Sequence, residues 1–161
     1  MSRDTVAGMV DRSVDAERDP GWYTNAVTAL CQAVDSLRGR TAAELGISPT
    51  GLMALRLICS TEGMSPRDIA TELELTSGSV TPILDHLTQA GYVHRSEHPR
   101  DRRRVLVYAN PEGQRALAWA NEQLDAVLRT VTVQWPDRDH AAVARFLTTA
   151  TDALSRPTSG T

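Results

Sequence analysis

Apolar residues recur along the chain with two different periods, and the change from one to the other is the main structural signal. Tyr23, Val27, Leu30, Val34 and Leu37 are spaced by four, three, four and three positions. That spacing puts them on one stripe of a long helix beginning after Pro20, a stripe that needs a partner helix to cover it. Ser48 and Pro49 supply a cap and a first-turn residue, so Leu52, Leu55 and the run Leu57 to Cys59 predict a buried second helix stopping near Gly63. Ser65, Pro66 and Asp68 repeat the start signal for a short third helix to Leu73, with the acid placed where the helix dipole favours it. Glu74 and Leu75 make a tight turn. Thr76 or Ser77 then caps a fourth helix with Val80, Ile83, Leu84 and Leu87 on its apolar face, and Gly91 closes it.

After Gly91 the period becomes two. Residues 92–96 and 105–108 read as the strands of a β-hairpin, joined by a polar loop, residues 97–104, around Pro99. Asn110 and Pro111 start a fifth helix with Leu117, Leu124, Val127, Leu128 and Val131 as a second stripe, and Pro136 ends it. Asp137 is placed to cap a sixth helix whose Val143, Phe146, Leu147, Ala150 and Leu154 are expected to face inward. The fold class this predicts is mainly α with a small β-hairpin wing, a winged helix-turn-helix flanked by N- and C-terminal dimerisation helices. The expected organisation is a mobile arm over 1–19, a first dimerisation helix over 20–47 and a DNA-binding lobe over 48–110. C-terminal dimerisation helices over 111–155 and a tail over 156–161 complete it.

Composition narrows the function classes. The chain has 161 residues, 41% hydrophobic and 23% charged, which suits one folded domain. No apolar run approaches the roughly 18 residues that span a bilayer, and Met1 to Pro20 carries charges where a signal peptide needs an apolar core. A cytoplasmic location without membrane association is expected. The formal net charge of -3 argues at first against a polyanionic partner. Its distribution argues otherwise: between Gly91 and Val105, Arg95, Arg100, Arg102, Arg103 and Arg104 outweigh Glu97 and Asp101. A basic patch on an acidic body still attracts phosphates, because the remote charges are screened beyond about 8 Å at physiological salt.

B-DNA's major groove, about 12 Å wide, admits one α-helix, and the second helix of a helix-turn-helix presents its early residues to the base edges. Here those residues are Ser77, Ser79 and Thr81, with Gly78 allowing close approach, and Arg67 is a further candidate DNA contact. An arginine at the hairpin tip can reach the adjacent minor groove.

The combination Val80-Thr81, Leu84-Asp85-His86-Leu87, Ala90-Gly91-Tyr92-Val93, Arg95 and residues 99–104, followed by a strand and Pro111-Glu112-Gly113, resembles the signature of the multiple-antibiotic-resistance regulator (MarR) family. The resemblance is close from about residue 65 to 113. It implies a homodimer whose first, fifth and sixth helices interlock, with paired winged lobes on a pseudo-palindromic operator in double-stranded DNA. Carried over residue by residue, it makes Asp101 the brace of the wing and Arg103 the minor-groove finger, with Arg95, Arg100, Arg102 and Arg104 as further DNA contacts. It assigns Tyr23, Val27, Leu30, Val34, Leu124, Val127, Val131, Phe146 and Leu147 to the dimer interface. Trp22, Tyr23, Met53 and Trp119 become candidates for a small-molecule effector cavity, although packing explains the aromatics equally well. Pro82 and His86 are also expected to contact DNA, and there the sequence departs from the family pattern, in which arginine is usual at both positions. Pro82 is expected to kink or loosen the early turns of its helix.

Other chemistries fit poorly. There is no Gly-rich phosphate loop, nucleophile elbow or acid pair with a placed base, so an enzyme is not expected. Only His94 and His98 are closely spaced, without a third ligand, and no metal or cofactor is expected. Cys31 and Cys59 are too few for a disulfide framework, and buried packing is the expected role of both. The competing reading is a helical dimer serving as an interaction module or non-specific DNA binder, motivated by Pro82 and the acidic body.

Overall fold

The computed structural model describes residues 20–98 and 101–156, with backbone alone at Pro20, His98 and residues 101–103. Helices α1 (Pro20–Glu44), α2 (Pro49–Cys59), α3 (Pro66–Glu72) and α4 (Ser77–Gln89) precede strands β1 (Val93–His98) and β2 (Asp101–Ala109). Helices α5 (Pro111–Thr132) and α6 (Asp137–Leu154) follow. This is the expected mainly α order with one antiparallel hairpin. The expected N-terminal arm and the end of the tail lie outside the described residues. Among the described residues no single helix is long and apolar enough to cross a membrane.

Helix starts follow from short hydroxyl side chains. Ser48 Oγ accepts from the Gly51 amide at 2.9 Å, Ser65 Oγ from Asp68 at 3.2 Å and Thr76 Oγ1 from Ser79 at 3.2 Å. Each satisfies an amide that the first turn cannot pair internally. Ser65 also donates to the Asp68 carboxylate at 2.6 Å, which ties the cap to the acid beside the positive end of the dipole. Asp137 differs from expectation. The cap position belongs to Pro136, which has no side-chain acceptor, and Asp137 sits in the first turn instead.

Three helices end by one device. Gly46, Glu74 and Gly91 have φ of 69°, 55° and 76°. In each case the residue's amide and the next one reach back into the last turn. Gly46 donates to Ala43 and Ile47 to Ala42 at 3.0 Å; Glu74 donates to Thr71 at 3.1 Å and Leu75 to Ala70 at 2.8 Å; Gly91 donates to Thr88 and Tyr92 to Leu87 at 3.0 Å. This paired closure needs a left-handed residue, which glycine adopts freely and glutamate does not. The turn between α3 and α4 is therefore held in a tight, mildly strained form by the bonds around it.

The chain divides into two compact units, one ending at Ala120 and one starting at Asn121, so the division falls inside α5 rather than at its start. In the first unit Leu55, Ile58, Ile69, Val80, Leu84, Leu87, Val93 and Val107 are fully buried and draw α2, α3, α4 and the hairpin around one core. Each such side chain contributes about 1.5–3 kcal/mol by leaving water. The opening of α5 packs on this core through Gly113, Ala116 and Ala120, a small-residue face that the leucine-based stripe did not predict. A Cβ at Gly113 would lie 2.2 Å from the Tyr92 carbonyl oxygen, so only glycine admits this approach.

Three further expectations are corrected. Helix α2 stops at Cys59, and Gly63 lies beyond it at φ 105°, its backbone pressed against the Tyr108 ring. The hairpin strands extend through most of the residues expected to form the loop. In the second unit no residue of α6 is buried: Phe146 and Leu147 remain 45% and 48% exposed, so the stripe expected to face inward is solvent-facing in the single chain.

Candidate nucleic-acid interface

The exposed side of α4 is chemically distinct from its core side. Val80, Leu84 and Leu87 are buried, while Ser77, Ser79, Thr81, Pro82, Asp85 and His86 are all exposed. Pro82 does not interrupt the helix, which runs from Ser77 to Gln89. Two of the exposed hydroxyls are engaged locally. Ser79 Oγ lies 2.9 Å from Thr76 Oγ1, and Thr81 Oγ1 donates to the Ser77 carbonyl at 3.1 Å.

An open cleft of about 830 Å³ borders this face. Arg67, Ser77, Thr81 and Arg104 line it together with Ser65, Pro66, Asp68, Thr71, Val80 and Val105. The fold thus brings an arginine of α3 and an arginine of β2 to the start of α4, although they are 37 positions apart in sequence. Ser79, Pro82, His86 and Arg95 do not line this cleft.

The wing is anchored on three sides. Met64 and Val107 exchange backbone hydrogen bonds of 3.1 and 2.8 Å, a short third pairing that hydrophobic periodicity does not reveal. Arg95 Nη2 donates to Asp85 Oδ1 at 2.6 Å, linking β1 to the exposed face of α4. Asn110 Nδ2 donates to the Gly91 carbonyl at 2.9 Å while its Oδ1 meets His94 Nδ1 at 2.6 Å, and the His94 ring stacks on Tyr108. Arg95 is thus paired within the lobe, and Asp85, absent from the expected site residues, is its partner. The acid at the fourth-helix position before Leu87 was the available signal.

The register of the hairpin places the remaining arginines. Glu97 pairs with Val105 and His98 with Asp101, so Arg102, Arg103 and Arg104 form an extra stretch on β2 with no counterpart on β1. A bulge of this kind re-aims side chains away from the ladder. Arg104 is exposed. Arg100 lies outside the described residues, as do the side chains of Asp101, Arg102 and Arg103, and with them the expected bracing and finger roles.

Of the four residues expected to line an effector cavity, Met53 alone borders the cavity found beside α2. It has about 370 Å³ and lies between α1, α2 and the end of α3, with Asp35, Arg38, Leu52, Arg56 and Leu73 among its walls. Trp22, Tyr23 and Trp119 are not part of it; Trp22 and Tyr23 instead pack edge to face, with ring centroids 5.0 Å apart. Among the described residues no group of three His, Cys, Asp or Glu side chains is placed to hold a metal ion. Both cysteines are free thiols. Cys59 packs against the core and burial raises its pKa, whereas Cys31 is exposed on α1 rather than buried.

Residues 47–105, the segment that carries these features, match the family model described as the MarR family. Over 66 residues the chain is 38% identical to an HTH-type transcriptional regulator of Bacillus subtilis, YcgE, a stretch covering 41% of this chain and 43% of that protein. The matches thus span about half the length of the curated relatives. Among solved structures, RV1404 of Mycobacterium tuberculosis superposes with a TM-score of 0.72 at 18% identity, covering 89% of this chain and 99% of the other. A mutant of S. aureus MepR bound to an oligodeoxyribonucleotide superposes with a TM-score of 0.63 at 18% identity, covering 83% of this chain and 98% of the other. The MarR-type winged-helix fold is therefore established for this chain.

Proposed function

We propose that this MarR-type protein is a homodimeric, sequence-specific regulator of transcription that inserts α4 into the major groove of double-stranded DNA. The observation that carries this reading is the clustering of Arg67, Arg104, Ser77 and Thr81 around one open cleft at the start of α4, with the amide-rich helix end beside it. Such a surface combines phosphate attraction with groups short enough to approach base edges. The MepR structure bound to an oligodeoxyribonucleotide supports a DNA partner. Its fold-mates and named relatives are regulators, which favours this reading over an enzymatic one.

Dimerisation is supported by large apolar side chains left in solvent by the single chain. On α1, Tyr23 and Leu30 are 48% and 53% exposed. Val127 and Val131 on α5 and Phe146 and Leu147 on α6 add to them. Exposed apolar residues at helical spacing mark an interface with another surface. A two-fold assembly would offer paired α4 helices to half-sites about 34–36 Å apart. In this reading the protein represses transcription in the cytoplasm, and an effector in the cavity around Met53 relieves repression by changing that separation.

The test is a salt titration of binding to a duplex from the protein's own promoter region against a random duplex of equal length. A steep salt dependence on both, with a marked preference for the promoter, is expected. Equal binding to both would reduce the protein to a non-specific DNA binder. Arg103→Ala is expected to weaken promoter binding by about 1–3 kcal/mol without dissociating the dimer. An unchanged affinity would remove Arg103 from the interface.

A further inference from the structure

The exposed side of α4 carries no lysine or arginine, and three of its polar side chains are bonded within their own lobe. Thr81 Oγ1 donates to the Ser77 carbonyl, Ser79 Oγ is bonded to Thr76, and the Asp85 carboxylate is held by Arg95. The exposed side also carries Ser77, Gly78, Pro82 and His86, and its apolar groups are the Pro82 ring and the methyl of Thr81. A Cβ added at Gly78 would meet nothing nearer than the Thr76 hydroxyl at 3.9 Å, so this part of the helix is flat and open.

Direct readout of guanine or adenine in the major groove uses long bidentate donors such as arginine, asparagine or glutamine. None sits among the residues from Ser77 to His86. The one base edge that offers an apolar group there is thymine, through its C5 methyl. We infer that Thr81 and Pro82 are specificity-determining residues that read thymine C5-methyl groups in the major groove. This rests on the DNA-binding reading above. Sequence preference at the centre of each half-site then comes from apolar contact, while Arg67 and the wing arginines supply phosphate attraction that is indifferent to sequence. Gly78 contributes by letting the helix settle deeply enough for such short side chains to touch the base.

Deoxyuridine tests this directly, because it lacks only the C5 methyl and leaves pairing and the minor groove unchanged. The protein is first used to enrich a duplex from a pool of random 30-bp duplexes, and that duplex is synthesised with dT or with dU in its half-sites. Each contacted methyl removed is expected to weaken binding by about fourfold. Thr81→Ser keeps the hydroxyl and its bond to Ser77 but deletes the methyl, so the variant should bind the dT duplex more weakly and lose much of its response to dU. Pro82→Ala should likewise shrink the dT-to-dU ratio. Equal affinity of the wild-type protein for dT and dU duplexes, or an undiminished ratio in both variants, would overturn the inference while leaving sequence-specific binding intact. Failure to enrich any duplex over the pool would overturn the proposed function and this inference together.

Discussion

Arg95 on β1 and Asp85 on α4 meet through a 2.6 Å hydrogen-bonded ion pair that links the wing to the helix beside it. Both side chains are partly exposed, at 40% and 58%, so solvent screening limits their contribution to stability to no more than about 1 kcal/mol. Their importance is geometric.

Asp85→Asn separates the two roles that Arg95 can fill. Removing a negative charge beside DNA should, by electrostatics alone, strengthen binding. If Asp85 positions Arg95 and the wing, the neutral variant binds the promoter duplex more weakly despite its more favourable charge, with thermal stability little changed. Fluorescence anisotropy on that duplex distinguishes the two, and tighter binding would show that the pair is not a brace.

Glu74→Gly should stabilise the protein. Gly46 and Gly91 occupy the same left-handed closing position at the ends of α1 and α4, whereas Glu74 bears a Cβ there at φ 55°. Relief of that conformation outweighs the extra backbone entropy of glycine by about 0.5–1 kcal/mol. Urea unfolding monitored by circular dichroism measures it, and a lower midpoint would mean that the Glu74 side chain makes a compensating contact.

Leu30→Asp should disrupt the proposed dimer. Leu30 is 53% exposed in the single chain, so the substitution costs the isolated fold little but buries a charge in any helix-to-helix interface. Sedimentation velocity is expected to show a shift toward monomer at micromolar concentration. An unaltered profile would exclude the α1 stripe from the interface.

Cys59 should be chemically quiet and weakly pH-linked. Burial raises its thiol above the ordinary 9.0, which keeps the nucleophilic thiolate scarce at neutral pH. In a Cys31→Ser background, a thiol reagent should label Cys59 several-fold more slowly in the native protein than in urea. The sign of the linkage follows: the unfolded chain releases this proton first, so the associated stability is complete below the ordinary thiol value and declines as pH rises toward the higher folded value. Equal labelling rates in the two states would refute the burial argument.

Much of the lobe was legible because its signals are local. The hydroxyl-proline starts at Ser48 and Ser65, the Thr76 cap, the buried triplet of α4 and the left-handed stop at Gly91 depend on neighbours within one or two turns, and each formed where its residues stand. Local reasoning also named Arg67, Ser77, Thr81 and Arg104 as candidate site residues. What it could not supply was their convergence on one cleft, since residues 37 positions apart meet only after α3, α4 and β2 have packed. The Asp85–Arg95 pair, the Met64–Val107 pairing and the close approach of Gly113 to Tyr92 belong to the same class. So does the commitment of the Ser79 and Thr81 hydroxyls to their own helix. Periodicity reports which face of an element is apolar, because that depends on the chain's own spacing. Which surface covers that face, and which polar groups are already satisfied before a ligand arrives, is decided by non-local contacts whose free energy appears only once the chain is folded.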